Sequence, residues 1–312
     1  MTSIAVTLGD PRGIGPEVAL RALDLWRVEQ PGADVILIGP TELRPAGVLY
    51  VDVGSWNGGE TEAGRVSSDA IRRGVELALA GEVQSIVTAP VHKPALRAAG
   101  WDVPGQTEML QRLTGVERVG MLMAAERTSL GGPLRILLAT THLPLREVPD
   151  RVTEDLLVEQ STLLESALKQ DWGFEAPRLA LCALNPHASD RGLFGDEEAR
   201  VFGPAVRRLA DRGVHIEGPL PADTVFQRAL RGAFDAVVAP YHDVGMAAFK
   251  TVSFGTGVNV TLGLPFVRTS PDHGTAFDLA GRGEADPSSM LEALTLAHRL
   301  AQARFDTTLS RG

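Results

Sequence analysis

The chain of 312 residues carries 30 basic and 39 acidic side chains, a formal net charge of −9, which excludes the broad basic face that grips nucleic acid or an anionic membrane. With 44% apolar and 22% charged residues the composition is that of a soluble globular protein long enough for two domains. No apolar stretch approaches eighteen residues, the N-terminus MTSIAVTLGD has no secretory pattern, and Cys182 is the only cysteine, so a cytoplasmic, reduced protein without disulfides is expected.

In chain order, short apolar runs and amphipathic stretches alternate. A strand is predicted over Ile4–Leu8, a helix over Ile14–Val28, a strand over Val35–Ile38, a helix over Ser68–Ala80, and strands over Ser85–Thr88 and Leu134–Ala139. A helix over Val152–Lys169, with Leu156, Leu157, Leu163, Leu164, Ala167 and Leu168 on one face, leads to a strand over Leu179–Ala183 and a helix over Glu197–Ala210. Strands over Ala236–Ala239 and Val258–Leu262 and a helix over Pro287–Ala303 complete an α/β pattern built on a largely parallel sheet, with two lobes and a cleft.

Between the first strand and helix lies GDPRGIGPEV. Its glycines 9, 13 and 15 permit a tight turn and close approach, and Pro16 and Glu17 suit the first turn of a helix, where fixed φ and negative charge are favourable. The spacing is not GxGxxG and serves a purely structural turn equally well. Four histidines share one local grammar, an apolar run followed by a short turn: His92 (SIVTAPVH), His142 (RILLATTH), His187 (LALCALNPH) and His242 (DAVVAPYH). Ligands bind outside the carboxyl ends of strands in such sheets, and neutral imidazole is a common ligand for zinc, so three of the four are candidates for one metal; spacing alone does not select which. Of the thirty basic residues only Lys93, Lys169 and Lys250 are lysine, and Lys93 and Lys250 stand in motif-like settings. The stretch from Tyr241 to Gly281 interleaves His242, Asp243, Lys250, Asn259 and Arg268 with glycines and apolar runs, as a site for an anion and a metal would.

Taken in order, GDPRGIGPEV, TAPVHKPAL, GQTEML, THLPLREVP, LNPHASDRGLFGDEE, GPLPADTVF, YHDVGMAAFK and GVNVTLGLPFVRTSPDHGTAFDLAG resemble the signature segments of the 4-hydroxythreonine-4-phosphate dehydrogenase family of vitamin B6 (pyridoxine) biosynthesis, from residue 3 to about residue 300. GDPRGIGPEV and DHGTAFDLAGRGEADP are also similar to segments of isopropylmalate and isocitrate dehydrogenases. The resemblance implies a two-lobed, three-layer α/β/α fold of the isocitrate/isopropylmalate dehydrogenase kind, with the active site in the interlobe cleft. Residues 1–104 plus 263–312 would form a cofactor-side lobe, and residues 105–262 a lobe for metal, substrate and dimerisation. It implies one divalent ion (zinc, or magnesium or cobalt) on His142, His187 and His242, the last supplied by the partner subunit of a homodimer. It implies substrate contacts at Gln106, Thr107, Lys250, Asn259 and Arg268, and a seat for NAD or NADP at His273, Gly274 and Ala276. Asp223 and Asp243 are the candidate bases or orienting partners of the histidines.

Where the family reads GHTE this chain reads GQTE. Gln106 can donate a hydrogen bond but does not titrate near neutrality, which admits a phosphorylated sugar acid, erythronate or threonate 4-phosphate, as the alternative substrate. Two rival classes, a phosphate acyltransferase and a non-catalytic phosphate-ligand-binding protein, would keep the anion contacts without needing the metal or the reduction of NAD.

Overall fold

The computed structural model describes residues 2–309. In chain order it contains β1 (Ser3–Thr7), α1 (Gly15–Glu29), β2 (Asp34–Gly39), β3 (Leu49–Asp52), α2 (Glu60–Leu79), β4 (Ser85–Thr88), α3 (Lys93–Ala98), α4 (Gln106–Thr114), β5 (Gly120–Ala125) and β6 (Leu134–Leu138). There follow α5 (Val148–Arg151), α6 (Glu154–Asp171), β7 (Leu179–Cys182), α7 (Gly203–Asp211), β8 (Ile216–Leu220), α8 (Ala222–Leu230), β9 (Ala236–Ala239), α9 (His242–Ser253), β10 (Val258–Leu262), β11 (Val267–Pro271) and α10 (Ser288–Leu309). The local reasons are ordinary. Pro16 and Glu17 occupy the first turn of α1, and the Thr153 side chain caps α6 by accepting from the Leu156 amide. The helix expected over Glu197–Ala210 divides into a wide π-type turn, Glu198–Phe202, and α7.

The chain folds as two compact units, residues 1–119 with 258–312, and residues 120–257. These crossings differ from the expected 104/105 and 262/263: α4 and β10 belong to the unit built from the chain ends, because α4 packs on α2 and β10 pairs with β11.

In the end-built unit the strands run in the order β3-β2-β1-β4-β11-β10. All neighbours there are parallel except β10 with β11. Side chains alternate between the two faces. Ala5, Ile38 and Ile86 bury against Ala70 and Ile71 of α2 and Met109 and Leu110 of α4. On the other face α10 covers β11 and β4 and packs against α1, with the Thr269 hydroxyl donating to the Ala293 carbonyl. Chain direction reverses about β1: β2 and β3 follow to one side and β4 returns on the other, so the carboxyl ends of β1 and β4 flank a topological switch point.

In the middle unit the order is β5-β6-β9-β7-β8, with β5 antiparallel to β6 and the remaining pairs parallel. Ile136, Leu138, Val237 and Ala239 bury under Val225, Phe226 and Ala229 of α8 and Phe249 of α9. Phe249 is fully buried, so truncating it to alanine is worth about 3–5 kcal/mol. No helix among the described residues is long and apolar enough to cross a membrane.

Candidate functional site

In the end-built unit the register pairs Ile86 of β4 with Arg268 of β11, which turns the Arg268 side chain toward the face covered by α2 and α4. There it is only 2% exposed. Its Nη1 donates to the Thr261 hydroxyl at 2.8 Å, and its Nη2 to the Thr88 hydroxyl at 2.6 Å and to Gln106 Oε1 at 3.3 Å. The buried Nε–H has no protein partner. Burial pushes the guanidinium pKa down to about 10, with Glu108 working the other way, so the group remains a cation at neutral pH. A buried cation whose direct partners are all neutral is expensive to maintain, and the usual resolution is a ligand of opposite charge. Asn259 on β10 faces Ser270 in the ladder and has a buried, unpartnered Oδ1. Thr107 follows Gln106 in the first turn of α4 and is 8% exposed. Four of the five expected substrate contacts therefore belong to one unit; Lys250 stands half-buried on α9 of the middle unit.

In the middle unit β6, β9 and β7 are successive parallel neighbours, so the turns after them leave the same edge of the sheet. The turns after β6 and β9 are stitched by the Ala139 amide donating to the Ala239 carbonyl and the Thr140 hydroxyl donating to the Pro240 carbonyl. That stitching brings the rings of His142 and His242 to 5.8 Å between centroids, at a small cavity lined by Thr141, Leu143, Tyr241 and Asp243. His142 adopts a left-handed backbone, φ 32°. His242 Nδ1 lies 2.7 Å from the Asp243 carboxylate, an arrangement that fixes the tautomer and leaves Nε2 as a lone-pair donor. Asp243 thus contacts the His242 ring, while Asp223 is exposed in the first turn of α8.

His187 is placed differently from the expected set. It opens a run of left-handed residues from His187 to Arg191, and its ring faces Phe194 at 6.5 Å. Among the described residues no three His, Cys, Asp or Glu side chains of this chain assemble as a metal cluster. The paired histidines are those of adjacent strands; His187 follows the next strand over. Glu198, which the sequence reading passed over, anchors this turn. Its Oε1 accepts from the Leu184 and Asn185 amides at 2.9 and 2.7 Å, and its Oε2 from the Asn185 side chain at 2.9 Å. Burial works to raise the Glu198 pKa, but these bonds outweigh it and hold the carboxyl below its ordinary value. The signal was available, since an acid ending LNPHASDRGLFGDEE opens a helical segment. Cys182 is buried in β7 and burial pushes its thiol up to about 12, which removes it as a nucleophile.

At the switch point of the end-built unit, Asp10 is fully buried and grips Arg12 through both carboxylate oxygens, at 3.0 and 2.8 Å. Arg12 also meets Glu60 at 3.0 Å and His92 Nδ1 at 3.3 Å, and its guanidinium lies over the Phe277 ring. His92 is thereby engaged by Arg12, and it packs edge-on against Phe277. The glycines are required here: a Cβ on Gly13 would lie 2.6 Å from the Thr275 carbonyl oxygen, and Gly9 has φ +73° with the Pro90 oxygen 2.3 Å from its Cβ position. The Ile14 amide donates to that same Thr275 carbonyl, so the first turn and the HGTAF turn are one packed feature. Within it His273 Nε2 is buried without a partner and Ala276 is left-handed, φ 40°. Arg12 and Phe277 were not singled out from sequence, because a cation and an aromatic residue 265 positions apart have no local signature.

Comparison with known proteins bears on the family and the fold. The chain is 42% identical over 326 aligned positions to the 4-hydroxythreonine-4-phosphate dehydrogenase of Ruegeria sp. (strain TM1040), covering 96% of this chain and 97% of that one. The crystal structure of 4-hydroxythreonine-4-phosphate dehydrogenase from Klebsiella pneumoniae superposes with a TM-score of 0.85 at 36% identity, covering 97% of this chain and all of that one. At 14% identity, isocitrate dehydrogenase from Methylococcus capsulatus shares the fold alone, with a TM-score of 0.54, covering all of this chain and 90% of that one. The family model for the pyridoxal phosphate biosynthetic protein PdxA matches residues 15–297, and the chain belongs to that family of oxidoreductases.

Proposed function

We propose that this protein oxidises 4-hydroxythreonine 4-phosphate with NAD, or NADP, to 2-amino-3-oxo-4-phosphooxybutanoate, which loses carbon dioxide to give 3-amino-2-oxopropyl phosphate in pyridoxal phosphate biosynthesis. The observation that carries this reading is Arg268, a buried cation with only neutral direct partners, in a chain whose full-length relatives are named for a phosphorylated substrate. In this reading Arg268 holds the phosphate, with Thr107 and Asn259 adjusting to it as neutral partners and Gln106 beside them. Lys250 is assigned the second positive charge. The packed turn containing His273, Gly274 and Ala276 seats the adenine end of the dinucleotide.

The donor chemistry fits a divalent ion. His142 and His187 stand exposed on the turns beyond β6 and β7, and neutral imidazole is a common ligand for zinc. We assign His142, His187 and His242 as the donors, with His242 supplied by the partner subunit of a homodimer, as the family resemblance implies. Zinc suits three imidazoles best, with magnesium and cobalt as alternatives. Once bound, such an ion supplies Lewis acidity toward the substrate's hydroxyl and later ketone oxygen. Asp243 holds His242 in the tautomer that offers Nε2, and Asp223 is the remaining candidate to receive the hydroxyl proton. A dinucleotide held at His273, Gly274 and Ala276 would supply the hydride acceptor for the substrate's carbinol carbon, and the resulting β-keto acid would lose carbon dioxide. The net negative charge and the single buried thiol suit a cytoplasmic reaction.

Gln106 favours a second reading, oxidation of erythronate or threonate 4-phosphate, because the side chain beside Arg268 departs from the family histidine. Formation of NADH with each of the three phosphorylated acids tests both. The highest kcat/KM is expected with 4-hydroxythreonine 4-phosphate; a higher value with either sugar acid moves the assignment to the second reading.

A further inference from the structure

The two ends of the Gln106 amide are both engaged by the protein. Its Nε2 donates to the Ala89 carbonyl at 3.2 Å, and its Oε1 accepts from Arg268 Nη2 at 3.3 Å. Only this orientation of the amide satisfies both partners, since a carbonyl needs a donor and a guanidinium needs an acceptor. The side chain therefore ties α4 to the exit of β4 and presents a fixed, uncharged oxygen to a buried cation. Thr88 and Thr261 do the same from β4 and β10. Three of the five guanidinium N–H groups are thus directed by neutral acceptors. The charged neighbours on α4 and α3 are Glu108 and Lys93, whose Oε2 and Cε lie 3.4 and 3.7 Å from the position a Cβ on Gly105 would take.

We propose that Gln106 is a positioning residue that orients Arg268 toward an anionic ligand without neutralising it. The inference rests on the reading of Arg268 as the anion contact and deepens it: the substitution that distinguishes GQTE from GHTE acts on the arginine, and the selectivity it confers is for negative charge on the ligand. A carboxylate at the same place would form an ion pair with Arg268 and compete with the ligand for its charge. A histidine would offer an acceptor only in its neutral form, and as a cation would oppose the guanidinium.

The probe is inorganic phosphate, titrated calorimetrically into the full-length protein, and the variants are Gln106→Glu, Gln106→Met and Arg268→Met. Gln106→Glu keeps the shape and adds a charge; it is expected to weaken phosphate binding at least about tenfold, because like charges then face one another across the site. Gln106→Met removes the acceptor without adding charge and is expected to fall between wild type and Gln106→Glu. For the phosphorylated substrate, Gln106→Glu is expected to raise KM more than it lowers kcat, a split that general destabilisation does not produce. Should Gln106→Glu fail to fold, Gln106→Met with a native melting temperature carries the test: weaker phosphate binding supports the proposal, and unchanged binding overturns it. Loss of phosphate binding in Arg268→Met with wild-type binding in both Gln106 variants overturns the positioning role alone. Wild-type phosphate binding in Arg268→Met overturns the anion reading on which it rests.

Discussion

The surroundings of Arg268 and those of the strand-end histidines are both built on parallel strands, yet they are prepared to different degrees. Arg268 projects from inside a strand, is 2% exposed, and is held by side chains from β4, β10 and α4. Its geometry is fixed by the same ladder that makes the core, so the protein alone maintains it. His142 and His187 instead sit on left-handed turns beyond the strand ends, both exposed, and only His142 and His242 meet. Backbone in that region is unfavourable for a non-glycine residue and persists where surrounding bonds over-determine it, as Glu198 does for the turn of His187. Under the proposed function the difference becomes a division of labour: the Arg268 region would be preorganised to recognise charge, and the histidine region would hold donors whose arrangement is completed by what binds them.

Four substitutions break or sharpen this contrast. His242→Ala is expected to have the largest effect, a loss of kcat on the order of a thousandfold, since several kcal/mol of Lewis-acid stabilisation would go with the ion. The fold should survive, because His242 lies outside both buried clusters; circular dichroism and steady-state kinetics read the two effects separately. Arg268→Met comes next, with a loss of roughly 2–5 kcal/mol in kcat/KM on the phosphorylated substrate and much less on its dephosphorylated analogue. Equal losses on both would mean that Arg268 serves the fold and not the anion.

Glu198→Ala should destabilise by about 1–3 kcal/mol in urea unfolding, the consequence of leaving the Leu184 and Asn185 amides without their acceptor. Hydrogen exchange at those two amides should accelerate selectively; unchanged exchange would detach Glu198 from the turn. The smallest effect is expected at Asp235, which precedes β9 at the end opposite His242. Burial works to raise its pKa, but hydrogen bonds from Arg178 outweigh burial and hold it below the ordinary value. A depressed carboxylate contributes stability above its unfolded pKa of about 3.9 and loses it as pH falls toward the folded value. With Arg178 half in solvent, Asp235→Asn should cost no more than about 1 kcal/mol at pH 7, and the difference from wild type in urea midpoint should shrink in acid. A constant difference across that range would remove the ion pair from the account.

Much of this was readable from the residues. Ser85–Thr88, Ala236–Ala239 and Val258–Leu262 have the bounds predicted, because short β-branched and alanine-rich runs flanked by turn residues admit little else. The strand Gly120–Ala125, GMLMAA, was missed because methionine and alanine favour helix and only pairing with β6 makes it a strand. Val267–Pro271 was missed because arginine and proline argue against a buried strand; Arg268 is tolerated there by its three polar acceptors. For the site, strand-end grammar singled out His92, His142, His187 and His242 alike, whereas the structure brings together the rings of His142 and His242 and sets His92 against Arg12. Which strands lie side by side is a property of topology, and that decides which histidines meet. The cluster of Asp10, Arg12, Glu60, His92 and Phe277 was invisible for the same reason, being assembled from three distant turns and a helix start.

The most direct test of the central claim is the stoichiometry of wild-type turnover with 4-hydroxythreonine 4-phosphate, NAD and a divalent metal, following NADH and released carbon dioxide together. The account predicts one carbon dioxide for each NADH. It is contradicted by carbon dioxide absent while NADH accumulates, or by no NADH from this substrate under conditions where erythronate or threonate 4-phosphate is oxidised.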